Sequence, residues 1–277
     1  MKNLLIRTLS GLVFGALIVV SLLFVHKLYP VLTIVALYFM LNEFFNITIG
    51  DSLMTERRLA ILSAWLLFCL VYCMGEFGVP ARFLFTAVIP VIAIMACAIF
   101  RKDHTAVLDK LPYLFTGLLY IGLPVALSPI LLFRSGYFDG WLMMSFFILI
   151  WASDIGAYIL GTAFGQKPDS AKLAPTISPK KSWWGFWSGV IFCSVTGFIL
   201  YLLDCLQLPL VHCLVISIII SASGVCGDLF ESLWKRRFGF KDSGNIIPGH
   251  GGMLDRFDSS LVAIPLATVY LAIFNLL

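Results

Sequence analysis

Read only for hydrophobic and polar positions, the chain is a succession of apolar runs near twenty residues long, separated by polar breaks. A helix rising 1.5 Å per residue needs about 20 apolar residues to cross a hydrocarbon core about 30 Å thick. The pattern predicts nine spans, at residues 9–26, 28–46, 58–75, 83–100, 112–133, 141–163, 184–203, 210–230 and 258–276. The breaks are short except at 46–57, 101–111, 164–183 and 231–257. Period-two alternation, the mark of a membrane barrel, is absent. Lipid offers no partner to a free backbone N–H or C=O, so runs of this kind must be helical. The expected fold class is all-α: a polytopic transmembrane helical bundle, one integral membrane domain over residues 1–277, with its chemistry in the half from about 141 to 277.

Composition agrees. The chain is 60% hydrophobic and 12% charged, with a mean hydropathy of +0.99, where a soluble domain carries about 25% charged residues. Its seven cysteines lie in or beside apolar segments and form no CxxC pair, which argues against a zinc site or a disulfide framework. Lys2 and Arg7 precede an apolar run as in a secretory leader, but no small-x-small cleavage site follows, so the run is expected to be retained as a first helix. With the N-terminus in the cytoplasm, all but Lys27, Arg82 and Arg134 of the 19 Lys and Arg residues fall on the cytoplasmic side, as the positive-inside rule requires. That orientation puts both long polar breaks, 164–183 and 231–257, on the same side.

Charge is concentrated in SLWKRRFGFKDSGNIIPGHGGMLDRFD, residues 232–258. Asp228 lies just upstream, with Glu231 at i+3, Ser232 at i+4 and Lys235 at i+7, on one helical face. A Glu231–Lys235 ion pair at i,i+4 is the plain explanation of that spacing. Asp255 and Asp258 open the last span one turn apart. Acids at a helix N-terminus would account for one of them, but not for Gly251 and Gly252 before them, which permit close backbone approach. Carboxylates from two helices meeting at a wet point suit Mg²⁺, which takes oxygen ligands and leaves room for water and phosphate. The expected metal pair is Asp228 and Asp255. Bases beside acids beside a divalent ion are what phosphoryl or nucleotidyl transfer uses, because cations offset charge on the moving phosphates.

Other polar positions fall inside the apolar runs. Asp154 sits about 20 Å along its span, and a central ionised Asp costs about 2.5–3.5 kcal/mol, so a site-supporting place is expected for it. Ser153, Gly156 and Gly161 permit a close helix approach beside it. Asn42, Glu43 and Asn46 end the second span, either snorkelling to the interface or walling the same cavity. Trp183, Trp184 and Trp187 read as an interfacial aromatic belt. No P-loop, HExxH or GxSxG pattern occurs.

The 232–258 stretch, with WASDIGAY at 151–158 plus Gly161, and SPKKS at 178–182 followed by Trp183 and Gly185, closely resembles the signature of the phosphatidate cytidylyltransferases, also called CDP-diacylglycerol synthases. Trp234 and Trp184 depart from the usual residues, which bears on substrate detail and leaves the charged set intact. The resemblance implies CMP transfer from CTP to phosphatidate, giving CDP-diacylglycerol and pyrophosphate for phospholipid synthesis, with Mg²⁺ at Asp228 and Asp255 and room for an accessory monovalent cation. It also implies a cavity open to the cytosol and the inner leaflet. The lack of organelle signals and the short termini point to a bacterial inner membrane, with an endomembrane as the alternative. Lys235, Arg236, Lys241 and Arg256 are then candidate phosphate clamps, and Ser232 and His250 position oxygens. Asp242 orders the loop by pairing with a base, while Ser178, Lys180 and Lys181 close the site from the other polar break. CTP, phosphatidic acid and membrane lipid are the expected partners, with a homo-oligomer left open and no nucleic acid. A divergent paralogue, a CTP-dependent lipid kinase, and a transporter using Asp154 and Glu43 as a relay are the competing readings.

Overall fold

The computed structural model describes residues 2–167, 169–249 and 251–277, the side chains of 2–7 excepted. The helices are α1 (Lys2–Val19, continued by a π turn to Phe24), α2 (Leu28–Thr48), α3 (Met54–Phe77), α4 (Val88–Ile99, entered through a 3₁₀ stretch from Ala81), α5 (His104–Gly117), α6 (Leu123–Leu127), α7 (Pro129–Leu132), α8 (Trp141–Ala163), α9 (Trp183–Leu202), α10 (Leu210–Arg237), α11 (Leu254–Phe257) and α12 (Ser260–Ile273). Eight described helical segments are long and apolar enough to cross a membrane, and a shorter apolar one runs from Thr8 to Phe24. Together they match the nine predicted spans in order, so the protein is a polytopic helical integral membrane protein.

The structure departs from the hydropathy pattern in several places. The fifth span begins at His104, where Asp103 accepts a hydrogen bond from the Ala106 amide as a helix cap. It then passes through a π turn at Leu118–Gly122 beside Pro-bearing segments. The eighth span does not stop at 230 but runs to Arg237. Hydropathy falls at the first charge, whereas a helix continues while its backbone bonds can form, and Lys235, Arg236 and Arg237 in the last turn complement its dipole. The break at 164–183 is not simple loop: β1 (Lys172–Ala174) pairs antiparallel with β2 (Ser178–Ser182), a two-stranded hairpin. Ser182 then caps α9 by accepting from Gly185 N at 3.2 Å.

The chain divides into two compact units: one comprises the stretch up to Asp139 with Asp242–Arg256, the other Gly140–Lys241 with Phe257–Leu277. In the first, Leu37, Met40, Leu41, Phe44 and Phe45 of α2 pack with Phe68 of α3 in a closed core. A Cβ on Gly117 would meet the Phe45 ring at 2.6 Å, so only glycine fits there. Two buried charges of α3 are matched. Glu56 takes a two-point contact from Arg101 at 2.9 and 2.7 Å, and Arg57 reaches Asn42 (2.9 Å), Asn46 and the Gly50 carbonyl. Leaving either charge unmatched in the interior would cost several kcal/mol.

In the second unit, small residues set the helix distances. Lipid tails are as apolar as leucine, so helix association there depends on close contact and polar links. Along the α8–α9 seam, a Cβ on Gly161 would lie 3.3 Å from Gly185 Cα, and one on Gly189 would lie 3.0 Å from Ser153 Oγ. Ser188 donates to the Gly156 carbonyl across that seam at 3.0 Å, and Ser153 and Ser221 share a 2.7 Å hydrogen bond between α8 and α10. Gly227 of α10 lies against the Asp258 carbonyl, where a Cβ would come within 2.4 Å. That fit seats the start of α12 on the polar end of α10.

Candidate active site

In the second unit, the long continuation of α10 carries Asp228, Glu231, Ser232 and Lys235 on successive turns. Lys181, the penultimate residue of β2, places Nζ 2.7 Å from Asp228 Oδ2. Ser232 donates to Asp228 Oδ1 at 3.3 Å. The Asp228 side chain is 35% exposed and that of Lys181 23%, so the pair meets solvent. One turn on, Lys235 and Glu231 form the ion pair that the spacing predicts, at 2.7 Å, but it is buried, with side-chain exposures of 11% and 1%. Lys235, a candidate phosphate clamp, is thus held by an acid of its own helix. Asp258 lies in the turn between α11 and α12, within electrostatic range of Asp228, Asp154 and Lys235.

The remaining predicted residues of this unit lie on β2 and at or just beyond the end of α10. Ser178 opens β2 opposite Ala174. Lys180 is exposed, and its carbonyl accepts from Gln166 Nε2 at 2.7 Å. Lys172 braces the hairpin by donating to the Gly165 carbonyl at 2.7 Å. Arg236 is exposed and donates to the Phe240 carbonyl at 3.1 Å, and Lys241 is exposed. Trp183, Trp184 and Trp187 are all exposed, as an interfacial belt requires.

In the first unit, Asp255 is bound by the main chain of its own segment. Its Oδ2 accepts from Ser243 N at 2.9 Å and Gly252 N at 2.8 Å. Glu43 of α2, 4% exposed, accepts from Met253 N at 2.9 Å, Leu254 N at 2.8 Å and Ser243 Oγ at 3.1 Å. Gly251 and Gly252 permit the close backbone approach that their sequence position predicts. They close around Asp255, Ser243 and Glu43, and Gly251 adopts a φ of +83°. Asp242 and Arg256 are exposed. Among the described residues Asp242 makes no ion pair, and Asp255 and Glu43 order the segment instead. His250 lies outside the described residues. Sequence reasoning passed over Ser243, whose place in KDSGN carries no charge to mark it, and did not name the partners of Glu43, which are Ser243, Met253 and Leu254.

Among the described residues no group of three His, Cys, Asp or Glu side chains could hold a metal. Mg²⁺ needs fewer, taking one or two carboxylates and completing its shell with water and phosphate. Asp228, part-exposed, with Asp258 in electrostatic range and an exchangeable lysine as its present partner, fits that requirement. The pairing of Asp228 with Asp255 is carried by the motif alone.

A family model described as the cytidylyltransferase family matches residues 5–274. The chain belongs to the cytidylyltransferase family. It is 37% identical over 164 residues to the phosphatidate cytidylyltransferase of Rickettsia bellii, a match covering 57% of this chain and 68% of the relative. The Bacillus subtilis protein of the same name is 44% identical over 128 residues, 46% of each chain. That of Haemophilus influenzae is 44% identical over 133 residues, 47% of this chain and 45% of the relative. These matches span about two thirds of the first relative and about half of the other two. The family match extends the resemblance, which the motifs carried only over the C-terminal half, to nearly the whole chain.

Proposed function

We propose that this cytidylyltransferase-family member transfers CMP from CTP to phosphatidate, releasing pyrophosphate and leaving CDP-diacylglycerol in the membrane for phospholipid synthesis. The observation that carries the reading is the part-exposed Asp228–Lys181–Ser232 group, which joins two signature stretches, SPKKS and the start of SLWKRR, in one place. The relatives that this chain resembles are named for that reaction.

In the proposed step a phosphate oxygen of phosphatidate attacks the α-phosphorus of CTP in line. A new P–O bond forms as the bond to the β-phosphate oxygen breaks, and pyrophosphate leaves. A phosphate monoester has a second pKa of about 6, so its dianion is present at neutral pH and no dedicated general base is required. Lys181 offers Nζ to a phosphate when the nucleotide displaces it from Asp228, and Lys180 and Arg236 stand exposed as further cations. Ser232 keeps Asp228 oriented through its hydroxyl. Asp228 would hold Mg²⁺, with Asp255 given the same role by its motif position; the ion would supply charge neutralisation on the transferring and leaving phosphates. The reaction face is proposed to lie towards the cytoplasm of a bacterial inner membrane, on the strength of the Lys and Arg distribution and the bacterial relatives.

Purified protein supplied with Mg²⁺, phosphatidic acid and CTP labelled at the α-phosphorus tests this. Label retained in lipid as CDP-diacylglycerol supports it. Transfer of the γ-phosphate alone would make the protein a lipid kinase, and no lipid product at all refutes the reading.

A further inference from the structure

A carboxylate buried within a membrane helix needs an explanation, since an unmatched one is strongly disfavoured there. Glu43 is 4% exposed, and its hydrogen-bond donors among the described residues all come from one short segment. Met253 N donates to Oε1, while Leu254 N and Ser243 Oγ both donate to Oε2. Ser243 Oγ in turn accepts from Asp255 N at 3.3 Å, and Asp255 Oδ2 accepts from Ser243 N and Gly252 N. The segment is thus held at both ends of its chain turn: Glu43 binds 243 and 253–254, and Asp255 ties 243 to 252. The fit is tight. A Cβ on Gly244 would lie 2.5 Å from Glu43 Oε1, and one on Gly252 would lie 2.5 Å from Oε2. Two glycines of the signature stretch therefore make room for a side chain some 200 residues earlier.

We propose that Glu43 is a positioning residue: its buried carboxylate clamps the 242–256 segment to α2 and so fixes Asp255 for the transfer reaction. The catalytic consequence rests on the function proposed above; the clamp itself does not. The role requires two acceptors. A glutamine has one carbonyl oxygen, and in either orientation its NH₂ would face a backbone N–H, of Met253 or of Leu254, donor against donor. Charge-assisted bonds to backbone amides are also the stronger kind. Released, the segment would let Asp255 drift, and a misplacement of about 1 Å near a reacting centre costs about 100-fold in rate.

The test uses the full-length protein in lipid nanodiscs. Glu43→Gln should lower kcat about 100-fold with little change in KM for CTP, and should speed hydrogen exchange at the Ser243, Met253 and Leu254 amides while exchange in α8–α10 stays as in the parent. Gly244, whose φ is ordinary, supplies a second probe. Gly244→Ala should be damaging in the parent protein, where the methyl meets the carboxylate, and nearly silent when added to Glu43→Ala. Parental kcat and parental amide exchange in Glu43→Gln would overturn the proposal, as would an equal cost of Gly244→Ala in both backgrounds. Should the Glu43 variants fail to fold, Gly244→Ala alone decides: faster exchange at the Ser243, Met253 and Leu254 amides supports the clamp, and parental exchange overturns it. If the parent makes no CDP-diacylglycerol, the function falls while the exchange measurements judge the clamp separately.

Discussion

Asp228 and Asp255 are the two acids of the expected metal pair, yet their surroundings differ in kind. Asp228, on α10 of the second unit, meets side chains: a lysine and a serine, with a third of its own surface open. Asp255, in the first unit, meets backbone amides of its own segment through one oxygen. Side-chain partners such as Lys181 swing away at little cost when a phosphate or an ion arrives. Main-chain donors cannot, because they are fixed by the fold that they help to make. One acid is thereby available for exchange, while the other is built into the segment that presents it.

The comparison can be broken most sharply at Asp228. Asp228→Asn should reduce CDP-diacylglycerol formation more than about 1,000-fold, with amide exchange across 242–256 unchanged. Removal of divalent ions by a chelator should have an equally large effect, reversed by Mg²⁺; activity that survives chelation would sink the ion assignment. Asp255→Asn should differ in signature as well as size. It should lose activity and, unlike Asp228→Asn, speed exchange at Ser243 and Gly252, since the charge-assisted bonds that one carboxylate oxygen takes from both amides become weaker bonds to a neutral amide oxygen. Identical exchange patterns in the two variants would erase the distinction. Lys181→Ala is expected to cost about 10–100-fold, mainly as a raised KM for CTP, as for loss of an orienting partner. At the small end, Asp103→Ala removes only the cap of α5, so it should destabilise by about 1 kcal/mol in thermal unfolding and leave turnover unchanged.

Gly227→Ala separates packing from chemistry. A methyl there would come 2.4 Å from the Asp258 carbonyl, so α10 and the start of α12 must move apart. Overpacking of this sort costs about 1–3 kcal/mol. If Asp258 shares in the site of Asp228, turnover should fall together with stability; a loss of stability alone would confine Asp258 to a structural role.

Much of this was legible along the chain. Apolar run length gave nine spans in the right order, because a bilayer imposes one length on every crossing helix. Helical spacing gave the Glu231–Lys235 pair, because residues four apart on a helix are neighbours whatever surrounds them. The end of α10 was harder to read, since hydropathy reports the boundary of lipid and the helix does not end there. Arg57 shows a deeper difficulty. It looks like an ordinary inside-facing base, yet it is buried and holds Asn42 and Asn46, two residues whose polarity then needs no cavity to explain it.

What the sequence by itself determined is whatever depends on a local period or on a fixed motif: helical spans, their number, the small-residue seam of α8, the family and its charged set. What only the tertiary structure decided is which partner each charge takes. Glu43 and Ser243 are 200 positions apart, and nothing periodic links them. A buried carboxylate must find donors wherever the fold brings them, and chain separation does not enter that energy.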